Sequence, residues 1–69
     1  MDRYRVWTLT ADLPAADLRH RASKVLGFTP PVTDGAWASV NGLGGNRPPE
    51  WMQQLSKQLE QDDIEHQIY

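Results

Sequence analysis

Two stretches of this chain are apolar on one side at helical spacing, and this limits its fold more than any other feature. In residues 14–26, Ala15, Leu18, Ala22, Val25 and Leu26 recur on one face, and Gly27 stands where a left-handed residue would end a helix. Pro14 suits the first turn, where its missing N–H would be unpaired in any case. Further on, Asn46 can cap a second helix whose first turn Pro48 and Pro49 preset. There Trp51, Met52, Leu55 and Leu59 share a face, while Gln53, Gln54, Lys57 and Gln58 fill the other. Short amphipathic helices draw most of their stability from packing, so the rest of the chain must supply an apolar surface for both.

The remaining segments read as strands. Residues 3–11 are rich in β-branched and aromatic types and carry no breaker. Asp34-Gly35 separates 28–33 from 36–42, and a two-residue Asp-Gly loop predicts a hairpin with a type I′ turn. Pro30 and Pro31 confine the first arm to a sheet edge or make it an extended loop; an edge strand is the preferred reading. Gly42–Asn46 reads as a loop on its glycine content, and Ile64–Tyr69 alternates as a last strand. The resulting order, β-α-β-β-α-β, predicts a small ferredoxin-like α+β two-layer sandwich: an antiparallel sheet with two helices on one face. The alternative is a three-stranded β-α-β-α-β layer without the second strand.

Sixty-nine residues make one α+β domain, spanning 1–69, and a thin core, since a chain this short buries only about 60% of the surface its unfolded form exposes. No cysteine is present, which removes disulfides, thiol nucleophiles and the usual structural zinc sites. Two histidines, His20 and His66, leave little for a histidine metal site. No apolar run is long enough for a transmembrane helix or a signal-peptide core, so a cytoplasmic location is expected.

Charge divides along the chain. Residues 1–33 carry five basic and three acidic side chains, and residues 34–69 two basic and six acidic. Arg19, His20, Arg21 and Lys24 cluster on the first helix; Glu60, Asp62, Asp63 and Glu65 surround the join between the second helix and the last strand. On the first strand either Val6/Thr8 or Trp7/Leu9 can face the helices, and a small core favours Trp7 and Leu9 inside. Ala36, Ala38 and Val40 form a row suited to helix contact, which turns Trp37 toward the open side of the sheet. Trp51 belongs with Leu55 and Leu59 in the core.

No catalytic, cofactor or metal constellation is legible. Ser23, Ser39 and Ser56 have no recognisable context, and the histidines lie on separate elements. Gly42-Leu-Gly-Gly-Asn46 lacks the endings of a phosphate loop, and Pro48 and Pro49 remove two N–H groups that would bind an anion. Asp12 ends the first strand, where a carboxylate could share a metal, but it is equally a cap residue. What remains is a non-enzymatic protein-binding module acting by surface complementarity. By analogy of size and charge alone, small phage- or mobile-element-encoded inhibitors of bacterial complexes, anti-CRISPR proteins among them, are built this way. The expected contact surfaces are the open sheet face (Arg5, Trp37, Tyr69) and the acidic corner (Glu60, Asp62, Asp63, Glu65), facing a protein that has a basic nucleic-acid-binding surface. The alternative is a single-stranded nucleic-acid-binding domain that uses Trp7 and Trp37 with Arg3, Arg5 and Arg47. The third strand, Asp34-Gly-Ala-Trp-Ala-Ser-Val40, has one aromatic and a leading acid, a poor match to an RNA-recognition motif. Homodimerisation through the open face is a third option.

Overall fold

The computed structural model describes residues 3–69. The elements run β1 (Arg5–Ala11), α1 (Ala15–Leu26), β2 (Val32–Thr33), β3 (Ala38–Gly44), α2 (Glu50–Gln61) and β4 (His66–Ile68). The sheet is antiparallel with order β2-β3-β1-β4. Both helices cover one side of it, α1 touching β2 and β3, α2 touching β4, and each touching the other. This is the ferredoxin-like two-layer sandwich; the second strand exists, so the three-stranded alternative falls.

Period-two alternation sorts the side chains rung by rung. Toward the helices point the rungs Gly44/Arg5, Gly42/Trp7, Val32/Val40/Leu9/Ile68 and Ala38/Ala11/His66. Leu9 and Val40 are fully enclosed between Leu18 and Ala22 of α1 and Met52, Leu55 and Leu59 of α2. Burying each such leucine stabilises the fold by roughly 1.5–3 kcal/mol, which a core this thin cannot spare. Ala15, Ala22, Ala11 and Ala38 are buried too, and their small side chains let helix and sheet approach closely.

Gly27 ends α1 at φ 78°, as its place after the helical face predicts, and its N–H donates to the Ser23 carbonyl at 3.1 Å. Four local expectations fail. The Asp34-Gly35 turn is not type I′, because neither residue has the positive φ that such a turn requires. Thr33 pairs with Ser39, so the connection is a wider loop. Residues 28–31 do not join the sheet: proline lacks the N–H a ladder needs, and β2 starts only at Val32. Asn46 does not cap α2. Pro49 occupies that position, and Gln53 Nε2 donates to the Pro48 carbonyl at 2.8 Å.

The fourth failure concerns Gly42 and Gly44, which belong to β3 and not to a loop. Both face the helices, where a Cβ on Gly42 would lie 2.5 Å from Trp51 Cζ2 and 2.8 Å from Pro49 Cγ. A Cβ on Gly44 would lie 2.9 Å from Trp7 Cδ1 and collide with the Arg47 carbonyl. These glycines are spaces for indole rings. Trp51 fills one, with Phe28 edge-on to it at 6.1 Å, and the Trp7 Nε1–H donates to the Gly45 carbonyl at 3.1 Å.

Candidate functional site

The outer face of the sheet, away from the helices, carries the rungs Leu43/Val6, Asn41/Thr8 and Thr33/Ser39/Thr10/Gln67. Tyr69 joins the middle rung by exchanging backbone hydrogen bonds with Thr8 at 2.8 and 2.9 Å. None of these side chains is charged; the acidic pair Asp12 and Glu65 follows beyond Thr10/Gln67. Five large hydrophobic residues are exposed among those described, and three lie on this face: Val6 (57%), Leu43 (68%) and Tyr69 (58%); Tyr4 (76%) stands two residues before Val6. Thr8 Oγ1–H donates to Asn41 Oδ1 at 2.8 Å, which orients the Asn41 amide in the middle of the face.

Of the three residues expected on the open face, one is there in register. Tyr69 is on it; Trp37 stands in the bend before β3, half-buried and apart from the residues packed against the core. Arg5 is not on it. It sits opposite Gly44 on the helix side, and its guanidinium stacks over the Trp7 ring at 3.9 Å. An exposed cation–π contact of this kind stabilises by about 0.5–1 kcal/mol. Trp7 itself lies on the helix side of the sheet, opposite Gly42, and does not line the outer face.

The acidic corner is regrouped. Glu60, Asp63 and Glu65 line an open groove at the Ala11 end of the sheet, and Asp12 joins them, its N–H donating to the Glu65 carbonyl at 2.9 Å. Asp62 leaves the group: it pairs with Arg21 in the groove between the helices, beside Asp17, His20 and Lys24. Both partners are about one-third exposed, which limits this pair to under about 1 kcal/mol. It is the one ion pair among the described residues, so Glu60, Asp63, Glu65 and Asp12 face outward unneutralised.

One contact lies outside the expectations from sequence. The Ser56 hydroxyl lies 2.7 Å from His66 Nε2, and His66 Nδ1 lies 2.9 Å from the Ile64 carbonyl. The carbonyl can only accept, so Nδ1 donates to it, and in the neutral imidazole Nε2 then accepts from the Ser56 hydroxyl. Serine, histidine and an orienting acceptor are the first requirements of a hydrolytic relay. The next requirement is a pair of free N–H groups for an oxyanion, and Ser56 lies mid-helix in α2, where backbone N–H groups are consumed by the helix ladder. The arrangement fastens β4 to α2. Its signal was the amphipathic pattern itself, which sets Ser56 beside Leu55 and Leu59, but the pairing with His66 depends on strand placement.

Among the described residues no three histidine, aspartate or glutamate side chains are placed to hold a metal ion. No helix is long and apolar enough to cross a membrane. Searches against protein-family models, curated proteins and solved structures return no match.

Proposed function

We propose that the domain is a non-enzymatic protein-binding module that works in the cytoplasm through its outer sheet face. The observation that carries this reading is the charge-free row of Val6, Leu43 and Tyr69, with Tyr4 beside it, left uncovered while both helices lie on the opposite side. Exposed apolar patches of several hundred Å² are uncommon on monomers and mark interaction surfaces. Tyrosine also contributes more interface energy than most residue types. The unneutralised Glu60, Asp63, Glu65 and Asp12 favour a partner with a basic surface, such as a nucleic-acid-binding groove, toward which these carboxylates would imitate phosphates. A small phage- or mobile-element-type inhibitor of a bacterial complex, an anti-CRISPR protein for example, has these attributes.

The test is capture from bacterial lysate by the immobilised domain, its Leu43→Glu variant and a Glu60→Lys/Glu65→Lys variant. The reading expects a partner that both variants lose and that elutes as salt rises. Capture that neither variant affects refutes it. Saturable binding of mixed-sequence single strands, with quenching of tryptophan emission, would favour nucleic acid instead.

A further inference from the structure

We propose that the outer sheet face docks one amphipathic helix of a foreign protein, laid along β1 and β3. Its basic first turn lies over Asp12 and Glu65, and its apolar last turns lie on Val6, Leu43 and Tyr69. This rests on reading that face as a protein-binding surface, and names what occupies it. Backbone chemistry selects the helix. The N–H and C=O groups of a sheet lie in its plane, where the β1–β3 and β1–β4 ladders use them. An extended segment laid on the face would leave its own polar backbone unpaired, whereas a helix satisfies its backbone internally. Width agrees: β1 and β3, the two long strands, together span about 10 Å, the diameter of one helix.

Charge sets the direction. The outer ladder starts apolar at Leu43/Val6, with Tyr69 beside Thr8, and passes through hydroxyl and amide groups at Asn41/Thr8 and Thr33/Ser39/Thr10/Gln67. It ends on the carboxylates of Asp12 and Glu65. Glu60 and Asp63 line the groove beside that end, and none of the four acids has an ion-pair partner among the described residues. Four carboxylates at one end repel the phosphates of a nucleic acid and attract lysines or arginines of a protein. Arg3 and Arg5, flanking Tyr4 at the start of β1, stand at the opposite end. A helix carries partial positive charge at its N-terminus and partial negative charge at its C-terminus, so the partner helix points its N-terminus at Asp12 and Glu65. Thr8 Oγ1–H occupies Asn41 Oδ1, which leaves the Asn41 amide N–H groups to meet an acceptor, such as a glutamine, midway along the partner helix.

Length and area set the size of the segment and the strength of the contact. From Val6 to Asp12 the extended chain advances about 20 Å at ~3.3 Å per residue, which a helix of about 13 residues spans at ~1.5 Å each. Because β2 contributes two residues and β4 three, the outer face offers on the order of 400 Å². A docked helix then buries about 800 Å² in all, the range of transient encounters rather than of permanent complexes. A weak, salt-sensitive complex with a dissociation constant on the order of 100 μM follows.

Fluorescence anisotropy of labelled peptides of about 15 residues, titrated with the full chain, tests this. All are stapled helices on an alanine-glutamine background. The first has lysines in its first turn and leucines at i, i+3 and i+4 spacing in its last two turns; the second reverses that order; the third has glutamates for the lysines. The first should bind at least about 10-fold tighter than either control, and should weaken as salt rises. Leu43→Glu should weaken it about 10-fold or more, because a carboxylate then meets the leucines. Asp12→Lys/Glu65→Lys should reverse the preference between the lysine and glutamate peptides. Ser23→Glu, on exposed α1, should change nothing. Circular dichroism melts check that each variant is folded. Equal binding of the first peptide and either control overturns the proposal, as does binding indifferent to both face variants. If no peptide binds while Leu43→Glu still loses a protein captured from lysate, the helical occupant is refuted and the protein-binding reading stands. If capture too is indifferent to Leu43→Glu, that reading falls with it.

Discussion

Gly42→Ala places a methyl group where the Trp51 ring already lies. The new carbon would stand 2.5 Å from Trp51 Cζ2 and 2.8 Å from Pro49 Cγ, against an optimum near 3.5–4.0 Å for carbon pairs. Neither neighbour yields cheaply: Phe28 braces the indole edge-on, and Pro49 is a rigid ring at the start of α2. Relief requires lifting the first turn of α2 off β3, so an overpacking cost of about 1–3 kcal/mol applies. Alanine also reduces the freedom of the unfolded chain, which offsets about 0.4–1 kcal/mol. The net loss is about 1–2 kcal/mol, or roughly 5–15 °C in Tm for a domain of this size. Urea titration followed by far-ultraviolet circular dichroism measures it. Gly45→Ala is the control, because its Cβ meets only the Arg3 carbonyl at 3.7 Å and should be neutral or slightly stabilising. In a Trp51→Leu background the Gly42→Ala penalty should shrink by about 1 kcal/mol or more, since the two changes share one contact. Gly42→Ala as stable as wild type, with Trp51 in place, refutes the claim that β3 glycines are indole spaces.

Two further predictions concern stability and chemistry. Ser56→Ala leaves half-buried His66 Nε2 without its donor and should cost about 0.5–1.5 kcal/mol in urea denaturation. The wild-type serine should also resist fluorophosphonate labelling, and rapid labelling abolished by His66→Ala would contradict the non-enzymatic reading. Gly27→Ala forces a Cβ into φ 78° and should lower stability by about 1 kcal/mol, although nothing lies within 4 Å of the new atom. An unchanged melt would show that α1 does not end as described.

The helices and the order of elements were legible because they rest on local patterns: the spacing of Leu18 and Ala22, of Leu55 and Leu59, and the stop at Gly27. Side assignments along β1 were less so, since alternation alone permits either parity; small-core logic placed Trp7 inside correctly. That same parity carries Arg5 to the helix side, where it stacks on Trp7, so it cannot share a face with Tyr69. Gly42 and Gly44 read as a loop because glycine content reports backbone freedom, whereas here glycine answers to rings contributed by Trp51 and Trp7, each from another element. Asp62 departs from the acidic corner for a related reason: neighbours in sequence diverge at the end of α2, Asp62 toward Arg21 and Asp63 toward the groove that Glu60 and Glu65 also line. Asp12, from the far end of β1, arrives only through strand pairing. The Ser56–His66 contact likewise depends on β4 lying against α2.

Amide chemical shifts of the isotopically labelled domain, recorded as its binding partner is added or as its own concentration is raised, report most directly on which surface binds protein. Changes centred on Val6, Thr8, Asn41, Leu43 and Tyr69, with the outer positions of α1 and α2 silent, are what the account predicts. Changes centred on Arg19, Ser23, Gln53 and Lys57, with the sheet silent, contradict it.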